Sequence, residues 1–317
     1  MTAAIILATY AIGAGCALHL LIERARWLSR APRAAIAIWL AAAASVVMSA
    51  VLAGVELAFP THAFRDELAA FVTACSEALS GHPSSAPPRP FAILAGLAIT
   101  GLTVARSAHC ALSAFLGGWR GRRAHRSALL LVGRHHGDLD ALVVEYDEPA
   151  AYCVPGRKGL IVITRGALNS LHPSQVRAVI AHERAHLNGR HHLLLNAAQT
   201  VARTLPQLPL FARLGQEIPR LVEILADDTA AREHGRDTIA TALVSVARAS
   251  TPANALGVGG DTAVARIVRL LSPAPAPLGK RQRLLAALGV SGLLAGPAGV
   301  LLAPPLIAFL SGCPTLQ

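Results

Sequence analysis

The chain has 317 residues, of which 53% are hydrophobic, and its mean hydropathy is +0.49. This composition is too apolar for an ordinary soluble domain and favours a membrane protein. The net charge of +11 comes almost entirely from arginine. Because these arginines border apolar segments and aromatic residues are few, we predict no direct nucleic-acid partner.

Four apolar runs are each long enough to cross a bilayer. They cover about residues 4–22, 34–58, 91–116 and 284–310. At 1.5 Å per residue, even the shortest run extends about 28 Å, close to the thickness of the hydrocarbon layer. A cleaved signal peptide is the alternative for the first run, but basic residues follow that run instead of preceding it. We therefore predict four transmembrane helices, with the lipid bilayer as a partner.

The basic residues between the runs predict the orientation of these helices. Basic residues are concentrated in segments 23–33, 117–126 and 279–283, whereas residues 60–90 hold only two arginines. The positive-inside rule assigns the basic segments to the cytoplasm. We predict a multi-pass protein of the cell membrane with both termini outside. Cys75 and Cys313 would then lie outside, where conditions allow a disulfide but the sequence leaves their pairing open.

Residues 128–283 have the pattern of an α+β domain. Strand-like pieces, ALLLVGR and ALVVEY, precede a hairpin pattern in which GRKG joins AYCVP to LIVIT. From Pro173 the periodicity is helical, and residues 193–211 predict a core or membrane-surface helix with a loop. The predicted fold is a mainly α membrane protein. It has a membrane domain in residues 1–127, the α+β domain between helices 3 and 4, and a fourth helix with a short outer tail in residues 284–317.

Arg106 is a charged residue inside the third apolar run. Its side chain has two interpretations: it extends to the cytoplasmic interface, or it has a functional role within the helix bundle.

The stretch HERAHLNGRHH, residues 182–192, has the composition of a metal site. His182 and His186 are four residues apart, so they lie on one side of a helix and can bind one ion. Glu183 lies beside them and can take a proton from a water that the metal activates. The alternative is a surface helix that is rich in histidine. The pattern predicts Zn²⁺ as cofactor and Glu183 as the catalytic base.

One version of this site takes its third ligand from the same stretch. If His192 binds the metal, the spacing is HExxHxxGxxH, with Gly189 at the glycine position. That metzincin pattern also requires a methionine turn further along the chain. The chain has two methionines, and neither follows the motif. We therefore favour a ligand from elsewhere.

A second version takes its third ligand from EILADDTAA, residues 223–231. Glu223 and Asp227 are four apart on a predicted helix, so Glu223 can complete a His₂Glu site. Asp227 can accept the free ring N–H of a ligating histidine, and we pair it with His182. An acidic face exposed to solvent is the alternative interpretation of these carboxylates.

HExxH followed by ExxAD resembles the gluzincin zinc metallopeptidases of membranes. Two families share this pattern: the CAAX-prenyl and heat-shock membrane proteases, and the BlaR/MecR-type proteins. The second family has its peptidase domain between the third and fourth of four transmembrane helices, and the predicted topology is similar. The resemblance implies a protein or peptide substrate, for which a transcriptional repressor is one candidate. BlaR-type sensors carry an extracellular domain after the fourth helix, whereas this sequence stops at Gln317.

The resemblance also indicates residues that contact substrate. The stretch AYCVPGRKGLIVITRGAL is similar to a strand that lines the cleft in these families, where an extended peptide can pair with an edge strand. Ala151, Tyr152 and Cys153 are the candidates there. Arg266 is a further candidate, with a position on an exposed helix surface as its alternative. His191 and His192 lie outside the implied ligand set and are expected to contact structure or substrate.

Three other functions are consistent with parts of the sequence. A membrane-protein quality-control protease would cleave misfolded substrates broadly. A non-catalytic membrane transducer would bind zinc without hydrolysis, but it would not need Glu183. An intramembrane protease would place HExxH within the bilayer, and Arg184, Asn188 and Arg190 make this segment too polar for that.

Overall fold

The structure is a computed structural model that describes residues 2–59, 90–156, 158–249, 259–274 and 276–311. Cys75 and Cys313, between which the sequence left a disulfide open, and most of the predicted outer loop lie outside the described residues.

Long helices make up most of the described chain. In chain order they are α1 (Thr2–Arg24), α2 (Pro32–Ala58), α3 (Pro90–Val132), α4 (Arg165–Ser170), α5 (Pro173–Asn188), α6 (His191–Thr204), α7 (Pro209–His234), α8 (Arg236–Ala249), α9 (Gly259–Leu271) and α10 (Lys280–Ser311). Short 3₁₀ helices cover Arg26–Arg30 and Gly137–Leu139.

Four of the described helices are long and apolar enough to span a membrane. These segments are Thr2–Arg24, Pro32–Ala58, Phe91–Val132 and Lys280–Leu302. All four coincide with the predicted apolar runs, which supports a membrane protein. Their orientation relative to the two sides of the membrane stays a prediction.

Helix α3 is much longer than the predicted third span. Its 43 residues extend about 65 Å, roughly twice the thickness of a bilayer core. The helix continues through the arginine-rich segment and ends at Val132, so the prediction of a strand at ALLLVGR was wrong. Leu129 explains the difference, because it is buried against Leu142, Val154 and Val162 of the sheet and places an apolar helix face there.

The sheet has four strands in the order β1-β2-β4-β3. They are β1 (Arg134–His136), β2 (Ala141–Val144), β3 (Ala151–Val154) and β4 (Leu160–Thr164). β2 pairs with β4 in parallel, and the other pairs are antiparallel. The predicted hairpin of β3 and β4 is therefore present, and β3 is an edge strand of this sheet. One face packs on α3 through Leu129, and the other packs on α5 through Val176 and Ile180.

Helices α6 and α7 pack beside the membrane-type helices. One buried cluster joins α1 and α2 to Ala198 of α6 and to Leu210, Phe211 and Leu214 of α7. A methyl group added at Gly15, near the middle of α1, would meet the side chain of Leu208. Of the two positions predicted for residues 193–211, the core position is the one observed.

Arg106 has a structural partner in α6. Its guanidinium donates to the carbonyl oxygens of Thr204 and Arg203, which are left without helical partners at the end of that helix. Arg106 therefore caps α6 from the middle of α3. The end of a packed helix thus supplies the polar partners that a charged side chain needs inside an apolar segment.

Candidate metal centre

Helix α5 begins with a well-defined cap. Pro173 occupies the first turn, and the imidazole of His172 and the side chain of Gln175 form a reciprocal capping box. Val176 and Ile180 pack on the sheet. This packing fixes the rotation of the helix and directs the HExxH residues toward α7.

His182, His186 and Glu223 come together at one point. The Nε2 atoms of the two histidines are 3.1 Å apart, and a carboxylate oxygen of Glu223 lies 3.5 Å from each. A tetrahedral zinc ion about 2.0–2.1 Å from each donor would hold the donors about 3.3 Å apart. The donor set and its spacing therefore fit a zinc ion. Within the described residues, these three form the group of potential metal ligands.

Helix α7 carries both carboxylates of the predicted second motif. Glu223 and Asp227 are one turn apart on it, and the helix ends at His234, before Gly235, whose φ of 82° is left-handed. Asp227 is buried, and its Oδ1 lies 3.0 Å from Nδ1 of His182. This contact leaves Nε2 of His182 directed at the ligand group.

Arg266 is part of this site and does not lie on an exposed helix surface. Its guanidinium donates two 2.7 Å hydrogen bonds to Asp227, and its Nη1 lies 3.0 Å from Glu223. The surface interpretation was wrong, because α9 docks on α7 through this pair and through Arg269, which binds Asp228. Arg266 and Arg269 are three residues apart on α9, and each binds one of two neighbouring aspartates on α7.

His191 contacts the second histidine of the motif. Its Nδ1 lies 3.0 Å from Nδ1 of His186, and the two rings meet edge to face. His191 is buried, and a methyl group at Gly189 would collide with its ring. Gly189 therefore makes room for His191 in this fold.

His192 is not part of the ligand group. It lines a different cavity with Arg190 and Leu193. The structure therefore does not assemble the metzincin set. Sequence reasoning grouped His191 with His192 because neighbouring positions look equivalent in a histidine-rich stretch. The two side chains point in different directions in the fold, so that His191 contacts His186 and His192 does not line the metal site.

Glu183 lies beside the ligand group and next to the edge strand. The thiol of Cys153 lies close enough to its carboxylate for each group to change the pKa of the other. Burial raises the pKa of Glu183, while the charge of His182 and the nearby Cys153 thiol act in the opposite direction. Burial and the nearby Glu183 carboxylate raise the pKa of Cys153 to about 12, so the thiol stays protonated at neutral pH.

The pKa values of His182 and His186 shift in opposite directions. Burial lowers the pKa of His182, but hydrogen bonds to Asp227 and Glu223 outweigh it and raise that pKa to about 9. Burial and the charge of His182 lower the pKa of His186 to about 4. Burial raises the pKa of Asp227, but Arg266 and His182 lower it to below its usual value. Asp227 is therefore a carboxylate at neutral pH.

The three candidates on strand β3 divide between its two faces. Ala151 and Cys153 face α5, whereas Tyr152 faces α3, where its hydroxyl is 3.2 Å from His125 Nε2. Successive side chains of a strand point to opposite faces, so three adjacent residues cannot all face one cleft. The structure brings Ala151 and Cys153 to the site and takes the side chain of Tyr152 away from it.

A cavity of about 190 Å³ opens beside the ligand group. Its polar wall is formed by His182, Glu183, Glu223 and Arg266, and its other residues are Ala151, Ala178, Val179, Ile239, Ala242, Leu243 and Val246. The apolar part comes mainly from α5 and α8. A catalytic carboxylate, a metal-ligand group and an apolar pocket are thus adjacent.

Residues 118–217 match the model of Peptidase family M48. The match supports a metallopeptidase. It includes His182, Glu183 and His186 but ends before Glu223, Asp227 and Arg266, which the fold brings to the same site. No solved structure matches the chain.

Proposed function

We propose that the protein is an integral membrane zinc endopeptidase with its active site on the cytoplasmic side. The observation that carries this proposal is the position of Glu183 beside the His182, His186 and Glu223 group, in a cavity that can take a peptide side chain. The match to a metallopeptidase family and the four candidate spans support it.

Each residue of the site has a role in the proposed hydrolysis. Zinc, when bound by the three ligands, supplies a Lewis acid that activates water and polarises the scissile carbonyl. Glu183 takes the proton of the attacking water and delivers it to the leaving nitrogen. Asp227 fixes the orientation of the His182 ring. Arg266 holds Asp227 in place, and its positive charge offsets the negative charges of Asp227 and Glu223.

The substrate backbone would bind along strand β3. This strand is at the edge of the sheet and passes Glu183, so an extended peptide can pair with it through main-chain hydrogen bonds. Ala151 and Cys153 face that position. The cavity beside the ligand group would then receive one aliphatic side chain of the peptide, since its wall on α8 is apolar.

Regulated cleavage of a transcriptional repressor or another membrane-adjacent protein is the physiological role that we propose. It rests on the similarity in layout to BlaR/MecR-type proteins. Broad quality-control proteolysis is the second candidate, and the open edge strand favours it, because main-chain pairing is tolerant of sequence. Regulated cleavage predicts a single cut in one target protein, whereas quality control predicts many cuts in unfolded proteins.

The direct test compares Glu183→Gln with wild type and with Glu233→Gln, which changes an exposed glutamate near the end of α7. We expect Glu183→Gln to lose about 10²- to 10⁴-fold in zinc-dependent proteolysis while binding zinc normally. Glu233→Gln should behave as wild type. Full proteolysis by Glu183→Gln would refute the mechanism. Unchanged zinc affinity in Glu223→Ala would refute the ligand set.

A further inference from the structure

A groove with a strong positive charge lies outside the proposed active site. Two adjoining cavities of about 650 and 350 Å³ share Pro155, Gly156 and His192. One wall is the end of α3 and the other is the junction of α5 and α6. The arginines that line this basic groove are Arg122, Arg123, Arg126, Arg184 and Arg190, and His192 lies among them.

The charges of the groove are poorly balanced. Asp140 is the acidic residue in its lining, and it lies 3.7 Å from Arg184. Burial lowers the pKa of His192, and the charges of Arg122 and Arg190 lower it further, which reflects a positive potential at that point. A groove with this excess of positive charge attracts a ligand that carries several negative charges.

The groove is located at the basic end of a candidate membrane span. Trp119, which lines it, follows the apolar run of α3 by three residues and is 48% exposed. Trp is enriched at the level of lipid headgroups. Helix α6 runs from the groove at His191 to Thr204, which binds Arg106 inside the apolar run. Its 14 residues extend about 20 Å, so the groove lies about one leaflet away from Arg106.

The lining also has apolar surface at the level of the interface. Leu187 and Leu193 contribute to the larger cavity, and Leu193 is 49% exposed. Phosphate with attached hydrocarbon matches this combination better than an acidic peptide, which would have no use for leucines and a tryptophan at the membrane surface.

We propose that the basic groove binds the phosphate headgroup of an anionic phospholipid from the surrounding bilayer. Arg122 and Arg190 contact the phosphate from the two walls, and Trp119 and Leu193 contact the start of the acyl chains. This site is independent of the proposed peptidase activity. A bound lipid would hold the end of α3 against the α5–α6 junction.

The test uses the full chain in nanodiscs of phosphatidylcholine, with or without phosphatidylglycerol. The amount of phosphatidylglycerol retained per protein after extraction is measured for wild type and Arg122→Gln/Arg190→Gln. We expect the variant to bind this lipid about 30-fold more weakly, since each arginine near an anionic surface contributes about 1 kcal/mol. Arg177→Gln/Arg232→Gln removes the same charge from exposed positions outside the groove and should retain the lipid.

Two further arms make the result unambiguous. Arg122→Lys/Arg190→Lys keeps the charge and should retain lipid, which separates loss of charge from loss of folding. Inorganic phosphate and a polyglutamate peptide are added to phosphatidylcholine nanodiscs. Binding of either with the affinity measured for phosphatidylglycerol would overturn the lipid proposal in favour of a free phosphate or an acidic protein. Equal lipid retention by wild type and the glutamine variant would also overturn it.

Discussion

Asp227 lies 3.0 Å from the ring nitrogen of His182 that faces away from the ligand group. This relationship fixes both the rotation of the ring and the tautomer that leaves Nε2 free to bind metal. We expect Asp227→Asn to lower zinc affinity about 10- to 100-fold, because an amide fixes the ligand tautomer less well than a carboxylate. Competition with a chelating dye measures it. Asp228→Asn, which changes the neighbouring carboxylate, should leave zinc affinity unchanged, and equal loss in both variants would contradict the assignment.

His191 should orient His186 in a similar way. When His186 binds metal through Nε2, its Nδ1 carries the proton, and Nδ1 of His191 at 3.0 Å is the acceptor. His191→Leu should reduce zinc affinity by about 10-fold or more, whereas His191→Asn keeps an acceptor near the same position and should lose less. His192→Leu is the matched control. If it lost zinc and His191→Leu did not, the metzincin ligand set would be favoured.

Cys153 should influence the pH dependence of catalysis. Glu183 must be deprotonated to act as a base, so activity falls as pH decreases through its pKa. Burial raises that pKa, and the nearby Cys153 thiol, as a potential hydrogen-bond donor, lowers it. Cys153→Ala removes the donor, so the acidic limb of kcat/KM should move to higher pH, whereas Cys153→Ser keeps a donor and should move less. A shift to lower pH in Cys153→Ala would exclude this role.

The apolar cavity should select the side chain of the substrate. Ala242 lines it from α8, and replacement by Phe would fill much of its 190 Å³. We expect Ala242→Phe to lose about 10- to 200-fold in kcat/KM for peptides with leucine at the sensitive position, because a pocket that is too small excludes the extra carbons. Peptides with glycine there should be affected much less, and uniform loss for both peptides would indicate a structural defect.

Close helix packing should depend on Gly96. A methyl group there would lie 2.5 Å from the backbone of Ala58 and Gly54, so α2 and α3 touch directly at this point. Gly96→Leu should destabilise the protein by about 1–3 kcal/mol through overpacking, measured as a lower thermal midpoint in detergent. Gly101→Leu, on the same helix with no atom within 4 Å of the added group, is the control. Equal midpoints for the two variants would contradict the packing.

Patterns within contiguous segments of the sequence predicted many of the observed helices and strands. The apolar runs predicted the four candidate spans, since length and hydropathy are properties of a contiguous segment. The β3–β4 hairpin was predicted for the same reason, from alternating residues around a turn. The prediction of a strand at ALLLVGR was wrong. Five consecutive apolar residues are compatible with a helix or a strand, and here Leu129 packs on the sheet from a helix.

The sequence by itself determined that two histidines and a glutamate share one helix turn and that Glu223 and Asp227 share another, because spacing along a helix sets which side chains lie together. It also determined the apolar runs. Only the tertiary structure decided that Arg266 joins the site from 39 residues beyond Asp227, that His191 supports His186, and that His192 faces a basic groove. These are contacts between separate elements, and their partners depend on how helices dock and in which direction each side chain points.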